Sequence, residues 1–226
     1  MKYLIWDFDG TLGTRPGGWS GMLAEMLRDA TGLAVTAEDM RPYTAGGYTW
    51  SNPERPHVEL NTSEKWWDTL HDGFVQAFRA NGADELLAVR LARQVREVYP
   101  QAGRFRLYED TLATLDALAE QGWIHLILSN HVPEFRRIAA ALDLTHRMRH
   151  IFNSAETGYE KPHPEAYRLA LEAIPDAETI WMIGDNPVAD VQGAEAAGIP
   201  AILVRTPCKG VARFSPDLAG VAGFLS

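Results

Sequence analysis

Two aspartates lie one residue apart where the first apolar stretch of the chain ends. Residues 3–8 are mostly apolar, and the sequence continues through Asp7 and Asp9 into a Gly-Thr turn. Residues two apart in a β-strand point to the same side, so both carboxylates are expected to project together from its carboxyl end. Such a pair repels and needs a bound cation or retains one proton, and both states suit catalysis. A lone DxDG match fits a strand with an Asp-Gly turn equally well.

Two further groups could hold an anion. Ser129 and Asn130 follow the apolar residues 123–128, where a hydroxyl and free backbone N–H groups can bind an anionic oxygen. Lys161 precedes a helical pattern that contains Tyr167, and a lysine beside a helix N-terminus favours an anion. Taken singly, a serine at the start of a loop and a solvated lysine are the more ordinary interpretations.

A second pair of aspartates follows another apolar stretch. Gly184 and Asp185 follow residues 179–183, and Asp190 lies one turn into the next predicted helix. Singly, they suit a turn and a helix start. Together with Asp7 and Asp9 they form an all-oxygen set of the kind that Mg²⁺ prefers. The four aspartates therefore predict a Mg²⁺ site.

All these groups follow stretches that are typical of buried parallel strands. The stretches cover residues 3–8, 123–128, 179–183 and 201–204, with a weaker fifth at 150–153. Helical patterns separate them, which predicts right-handed βαβ units. We therefore expect an α/β fold with a doubly wound parallel, Rossmann-like sheet. Ligands bind at the carboxyl edge of such a sheet, where the polar groups would gather.

The chain between residues 15 and 102 interrupts this alternation with four helical patterns and no strand pattern. Gly- and Pro-rich segments at 13–18 and 100–103 flank it and are predicted hinges. We therefore expect residues 1–14 and 103–226 to form the core, with an all-helical domain of residues 15–102 inserted after the first strand.

Polar residues mark the predicted helix starts within the insertion. Ser20 could cap the first helix, and Ser63 could start the third. Thr36 and Asp39 have the spacing of a capping box, which predicts the start of the second.

The composition is that of an ordinary soluble globular protein. Apolar residues make up 46% of the 226 residues and charged residues 23%, which allows a sizeable buried core. The formal charge of −9 repels phosphate backbones and anionic lipid, so no nucleic-acid and no membrane partner is expected. The single cysteine, Cys208, suits a reducing compartment, and the N-terminal apolar stretch is too short for a signal peptide or membrane span. A cytoplasmic location is therefore expected, and nothing in the sequence indicates an oligomeric state.

Taken in order, the four groups resemble the motifs of the haloacid dehalogenase-like hydrolase superfamily. DFDGT at residues 7–11 matches the first motif, Ser129 the second, Lys161 the third and GDxxxxD at residues 184–190 the fourth. The helical insertion after the first motif resembles the C1 cap of subfamily I members similar to phosphoglycolate phosphatase. The resemblance covers the whole chain, and the ordered set is far more specific than any single motif.

The resemblance implies a Mg²⁺-dependent phosphatase that acts through an aspartyl-phosphate. Asp7 would be the nucleophile, and Asp9 would be the general acid and then the general base. Ser129 and Lys161 would bind the phosphoryl group, with Asn130 beside them.

The resemblance also implies a set of metal ligands. Asp185 would bind Mg²⁺ together with Asp7 and the backbone carbonyl of Asp9, and Asp190 would support the ion from farther out or through water. One departure from the family pattern lies after Leu12, where many relatives have a small or acidic pair and this chain has Gly-Thr-Arg-Pro. This difference makes the transfer of any known substrate unsafe.

Other reactions on the same fold stay open. A phosphomutase would share every core motif. A 2-haloacid dehalogenase would need neither metal nor Asp9, so the second aspartate and the acidic fourth motif weigh against it. A phosphonatase would need a cap lysine, for which Lys65 is the sole candidate. A non-catalytic phosphoryl-binding protein is the alternative from a different class.

The expected substrate is a small phosphorylated metabolite, because a cap over the sheet edge leaves little room. Arg55 and His57, in the non-helical stretch 43–62, are the best candidates for specificity. Arg15 at the hinge and His131 after the second motif are two more. The other interpretation of residues 43–62 is a solvated loop.

Overall fold

The computed structural model describes residues 1–225, and in them a parallel sheet forms the centre of the core. The strands are β1 (Lys2–Trp6), β2 (Gly13–Thr14), β3 (Arg106–Leu107), β4 (Trp123–Ser129), β5 (Met148–Asn153), β6 (Thr179–Gly184), β7 (Ala201–Val204) and β8 (Phe214–Ser215). Six of them form the central sheet in the order β5-β4-β1-β6-β7-β8, and each neighbouring pair is parallel. The predicted strands, the weak one included, are confirmed.

Helices cover the sheet and form the insertion. The α-helices are α1 (Gly18–Thr31), α2 (Ala37–Thr44), α3 (Ser63–Ala80), α4 (Glu85–Val98), α5 (Thr111–Glu120), α6 (Phe135–Ala141), α7 (Ser154–Thr157), α8 (Pro164–Glu172) and α9 (Gly193–Ala196). A π-helical segment, Pro187–Gln192, leads into α9. None of the helices in residues 1–225 is long and apolar enough to cross a membrane.

The central strand β1 shows why both faces of the sheet are covered. Its side chains alternate between two apolar clusters, with Leu4 and Trp6 in one and Tyr3 and Ile5 in the other. These four side chains are at most 3% exposed. A strand that is apolar on both faces must lie between two helical layers. The predicted doubly wound α/β fold is therefore confirmed.

The insertion after β1 is helical, as predicted. It contains α1 to α4, and α3 packs against α4 through an apolar face that includes Trp66, Leu70 and Phe74. Where the insertion leaves and rejoins the core, β2 and β3 pair as a short antiparallel ribbon that no sequence pattern indicated. Both strands lie just outside residues 15–102. The position of the domain boundaries stays a prediction.

The helix starts in the insertion agree with the sequence except at α1. Thr36 and Asp39 form the predicted capping box, and Ser63 is the first residue of α3 after the capping residue Thr62. The prediction that Ser20 caps α1 is wrong. The helix begins at Gly18, because Gly17 adopts a left-handed conformation with φ 79° and turns the chain into the helix earlier. The Ser20 hydroxyl instead contacts that of Thr44 at 2.6 Å, which joins α1 to α2.

Candidate active site

The first strand delivers two carboxylates to the carboxyl edge of the sheet. Asp7 directly follows β1, and its N–H donates to the carbonyl of Ile183 in β6 at 2.9 Å. Phe8 points the other way and is fully buried, with its ring 4.9 Å from that of Phe135. Asp7 and Asp9 therefore face the same cavity, as their spacing predicted.

Lys161 lies buried between two aspartates. Its Nζ donates to Asp7 Oδ1 at 2.8 Å and to Asp190 Oδ1 at 2.5 Å. Burial alone would lower the pKa of this ammonium group, but the carboxylates of Asp190 and Asp7 outweigh burial and raise its pKa. Lys161 is therefore a permanent cation, and it holds the Asp7 carboxylate in place.

The second predicted motif also contacts Asp7. Ser129 is the last residue of β4, and its hydroxyl donates to Asp7 Oδ1 at 3.0 Å. Asn130 has a different contact: its amide bonds to both the N–H and the carbonyl of Lys161, at 2.7 and 2.9 Å. Asn130 therefore fixes the loop that carries Lys161, and it also lines the cavity.

Three carboxylates form a compact acidic cluster. Asp7, Asp185 and Asp190 each offer an oxygen, and these oxygens lie within 4.8 Å of one another. Burial, together with the charge of Asp7, raises the pKa of Asp185 to about 6. Since Lys161 is the single ammonium group on this cluster, the described residues leave excess negative charge there. An all-oxygen donor set with unbalanced charge fits Mg²⁺.

Asp185 and Asp190 differ in how free their oxygens are. Asp190 uses both oxygens, because Lys161 donates to Oδ1 and the N–H of Asn186 donates to Oδ2 at 2.9 Å. Asp185 accepts one bond, from the hydroxyl of Thr11 at 3.2 Å. Gly10 leaves room for this carboxylate, because Gly10 has φ 83° and a Cβ there would lie 2.3 Å from Asp185 Oδ2. Asp185 is therefore the better placed of the two for direct metal contact.

Asp9 is suited to carry a proton. Burial in the cleft, together with the charges of Asp7 and Asp185, raises the pKa of its carboxyl group to about 8. His131 lies beside it, with Nε2 3.4 Å from Asp9 Oδ2 but not aligned for a hydrogen bond. The Nδ1 atom of His131 accepts from the N–H of Val132 at 2.9 Å, and burial lowers the pKa of the ring to about 3. The imidazole is therefore neutral, with its proton on Nε2.

A cavity of about 410 Å³ opens above these groups, between the core and the insertion. From the core it is lined by several small side chains and by the polar residues Asp7, Asp9, Asn130, His131, Lys161, Asp185 and Asp190. From the insertion it is lined by Trp19, Trp50, Pro53 and Tyr99. No sequence pattern predicted these residues as part of the site. A signal was present, since four of the seven tryptophans lie between residues 15 and 102, but tryptophans also form ordinary cores.

The structure does not bring three of the predicted specificity residues into the cavity. Arg55 is exposed and does not line it. Arg15 is buried, and its guanidinium donates to the carbonyls of Tyr99 and Gly18. His57 is also buried and contacts the core instead. Of the four candidates, His131 lines the cavity.

His57 belongs to a contact between the insertion and the loop that carries Lys161. Glu160 is fully buried, and its Oε1 atom contacts His57 Nε2 at 3.0 Å and the hydroxyl of Thr49 at 2.5 Å. The N–H of His57 also donates to the carbonyl of Gly158 at 2.9 Å. No local sequence signal identifies Glu160, because its partners lie more than 100 residues away.

The chain is similar in sequence and in fold to known proteins. A model of the family "haloacid dehalogenase-like hydrolase" matches residues 1–198. Phosphoserine phosphatase from Thermus thermophilus is 35% identical over 184 residues, which are 80% of this chain and 66% of that protein. Phosphoglycolate phosphatase from Rhodospirillum rubrum is 33% identical over 212 residues, which are 90% of this chain and 79% of that protein. The solved structure of the HAD-hydrolase YfnB from Bacillus subtilis, bound to magnesium, shares 21% identity and gives a TM-score of 0.72, covering 99% of this chain and 98% of that one. The chain belongs to the haloacid dehalogenase-like hydrolase family.

Proposed function

We propose that the protein is a Mg²⁺-dependent phosphatase that hydrolyses a small phosphate monoester through an aspartyl-phosphate. The observation that carries this proposal is the contact of Asp7 with both Ser129 and Lys161, beside a second carboxyl group, that of Asp9, whose pKa is raised. The related phosphoserine and phosphoglycolate phosphatases, by their names, act on monoesters of small alcohols, which supports the same class of reaction.

In the first step, Asp7 attacks phosphorus. Ser129 and Lys161 both donate to Oδ1, whereas Oδ2 accepts no hydrogen bond from the described residues, so Oδ2 is the attacking oxygen. The bond between Oδ2 and phosphorus forms as the bond to the alcohol oxygen breaks. Asp9 gives its proton to that oxygen, and the alcohol leaves.

In the second step, Asp9 acts as the base. Its carboxylate takes a proton from water, the water oxygen attacks phosphorus, and the bond to Asp7 Oδ2 breaks. Inorganic phosphate and the free Asp7 carboxylate result, and Asp9 is protonated for the next cycle. Lys161 and Ser129 would neutralise and orient the phosphoryl oxygens in both steps, since electrostatics and positioning supply most of the acceleration in such reactions.

Asp7, Asp185 and the backbone carbonyl of Asp9 would hold Mg²⁺, and Asp190 would support the ion from farther out or through water. Bound there, the ion supplies positive charge next to the transferring phosphoryl group and orients it. The acidic cluster and the raised pKa of Asp185 support this assignment, because three neighbouring carboxylates require a counter-charge beyond Lys161.

We further propose that residues 15–102 act as a cap on the core of residues 1–14 and 103–226. The cavity lies between these two parts, so a substrate enters when they separate and loses water when they close. A cavity of this volume suits a metabolite rather than a polynucleotide, in line with the charge of −9.

Phosphate release from p-nitrophenyl phosphate, measured with Mg²⁺ and again with EDTA, tests the proposal. We expect turnover with Mg²⁺ and none with EDTA. An Asp7→Asn variant should be inactive, whereas Asp68→Asn, the same change at an exposed residue of α3, should keep the parental rate. Full activity in EDTA would contradict the proposal and favour dehalogenase chemistry. An isomerised phosphate ester without free phosphate would identify a phosphomutase.

A further inference from the structure

The cap side of the cavity is an aromatic wall, which we define as Trp19, Trp50, Pro53 and Tyr99. Its rings are held by stacking on one another. The Trp19 ring lies 3.6 Å from the Tyr99 ring at an interplanar angle of 13°, and Trp50 stacks on Tyr48 at 4.8 Å and 5°. Rings supported in this way present a fixed surface to a ligand at little further cost in entropy.

The aromatic wall carries no cation. Arg15 contacts the wall residue Tyr99, with its guanidinium carbon 4.9 Å from the ring centre, but two of its nitrogens donate to backbone carbonyls. Its third nitrogen, Nη2, is enclosed by protein and does not reach the cavity. Arg55 lies outside, exposed to solvent. A carboxylate on the leaving alcohol would therefore find no basic partner on the cap side.

The core side of the cavity disfavours an anionic leaving group as well. Asp7, Asp9, Asp185 and Asp190 all line the cavity, against the single ammonium group of Lys161. That ammonium group is already paired with two of these aspartates. A phosphoryl group would be matched by Lys161 and a metal ion, but a second anion on the substrate would have no such partner. An unpaired charge moved from water to this place loses its hydration without compensation.

We propose that the physiological substrate is the phosphate monoester of an alcohol that carries a planar ring and no carboxylate. This inference rests on the proposed phosphatase activity. With the phosphorus beside Asp7, the ring packs against the indoles of Trp19 and Trp50, and a cationic substituent is tolerated there because aromatic faces attract cations. The substrate class therefore differs from those named for the phosphoglycolate and phosphoserine phosphatases, whose substrates carry a carboxylate.

A set of primary-alcohol esters tests the inference, because their leaving groups have similar intrinsic reactivity. The set is benzyl, cyclohexylmethyl, 4-carboxybenzyl, 4-(aminomethyl)benzyl and ethyl phosphate. We expect kcat/KM for benzyl phosphate to exceed that for cyclohexylmethyl phosphate about threefold to tenfold, since ring stacking adds to simple apolar burial. The carboxybenzyl ester should fall at least about tenfold below benzyl phosphate, and the aminomethyl ester should not.

Substitution of Trp50 identifies the surface that gives this preference. Trp50→Leu keeps an apolar side chain but removes the ring, so the ratio of kcat/KM for benzyl to that for ethyl phosphate should fall about threefold to tenfold. Trp181→Leu is the matched control. Trp181 lies in β6 outside the cavity, and its loss should leave the ratio unchanged.

The outcomes separate this inference from the proposed function. If no ester releases phosphate with Mg²⁺, the phosphatase proposal fails, and the ring preference fails with it. If all five esters are hydrolysed but 4-carboxybenzyl or ethyl phosphate matches benzyl phosphate, the phosphatase proposal stands and the aromatic-ring inference is overturned. A ratio that Trp50→Leu does not change would also overturn it.

Discussion

Replacement of Gly158 by alanine tests whether the contact between cap and core keeps the site assembled. Gly158 has φ 80° and lies two residues before Glu160, in the loop that carries Lys161. A Cβ at this position would lie 2.6 Å from Val58 Cγ1, 2.7 Å from its Cα and 2.8 Å from its N. Two of these three atoms are backbone, so a change of side-chain rotamer cannot relieve the overlap. The cap segment around Val58 must move away.

The free-energy cost of Gly158→Ala has two parts that can be separated. The left-handed conformation alone costs an alanine about 1–2 kcal/mol. The overlap with Val58 adds about 1–3 kcal/mol, as for other insertions into packed contacts. The second part is released when the cap segment moves, which also breaks the 2.9 Å bond from the His57 N–H to the Gly158 carbonyl.

Gly198→Ala is a control for the first part alone. Gly198 also has φ 80°, but a Cβ there would find no atom within 4 Å. We therefore expect Gly198→Ala to lower the free energy of unfolding by about 1–2 kcal/mol and to leave kcat/KM unchanged. Chemical denaturation measures the first quantity, and phosphate release measures the second.

For Gly158→Ala we expect a fall in kcat/KM of about fivefold or more, because the energy needed to bring the cap back into contact is added to the barrier. Equal stability and equal kcat/KM for the two alanine variants would refute the reasoning. Such a result would show that the segment around Val58 moves away without loss of stability or activity, and that the position of the cap does not affect the site.

Three further outcomes are expected. Lys161→Met should abolish turnover and lower the free energy of unfolding by about 3–5 kcal/mol, because it leaves Asp7 and Asp190 buried without their counter-ion. Lys65→Met on the cap surface should change neither quantity, and chemical denaturation and phosphate release measure the two effects. Asp9→Asn should stop steady-state turnover but still allow one phosphoryl transfer to Asp7 from p-nitrophenyl phosphate, whose leaving group needs little protonation. A single-turnover experiment should show protein that carries the labelled phosphoryl group, and a parental steady-state rate would contradict the prediction. Mg²⁺ affinity should rise with pH from about 5 to about 7 and then level off, because burial and the charge of Asp7 raise the pKa of Asp185 to about 6 and the ion must displace that proton. Calorimetry in buffers of different ionisation enthalpy measures the proton release, and an affinity independent of pH over this range would contradict the prediction.

The site aspartates were predictable from the sequence because a simple rule places them. Asp7, Asp9 and Asp185 each follow a buried parallel strand, and parallel strands of one sheet end at the same edge. Asp7, Ser129 and Asp185 therefore had to lie close together once the strands were recognised. The repulsion between Asp7 and Asp9 was predictable in the same way, since two neighbouring carboxylates need a bound cation or retain one proton, but the residues alone did not say which of these holds.

The aromatic wall and the contact between His57 and Glu160 were not predictable from strand ends. Trp19, Trp50 and Tyr99 come from three separate segments of the cap, and their meeting depends on how the helices pack rather than on a local pattern. Arg55 and His57 were expected in the cavity because charged groups in a loop suggest recognition. In the fold His57 turns toward Glu160, whose buried carboxylate needs a partner, and this requirement is visible only in three dimensions.

The neighbouring positions of Glu160 and Lys161 connect the cap to the chemistry. Glu160 is buried against the cap through His57 and Thr49, while the next residue, Lys161, is buried against Asp7 in the core. One peptide unit joins the two, and the amide of Asn130 holds the backbone of Lys161 on both sides. Separation of the cap from the core would leave the Glu160 carboxylate without its partners directly beside the ammonium group that orients the nucleophile. Because a buried carboxylate without partners is costly, the same contacts that close the cap also favour the position of Lys161 that catalysis requires.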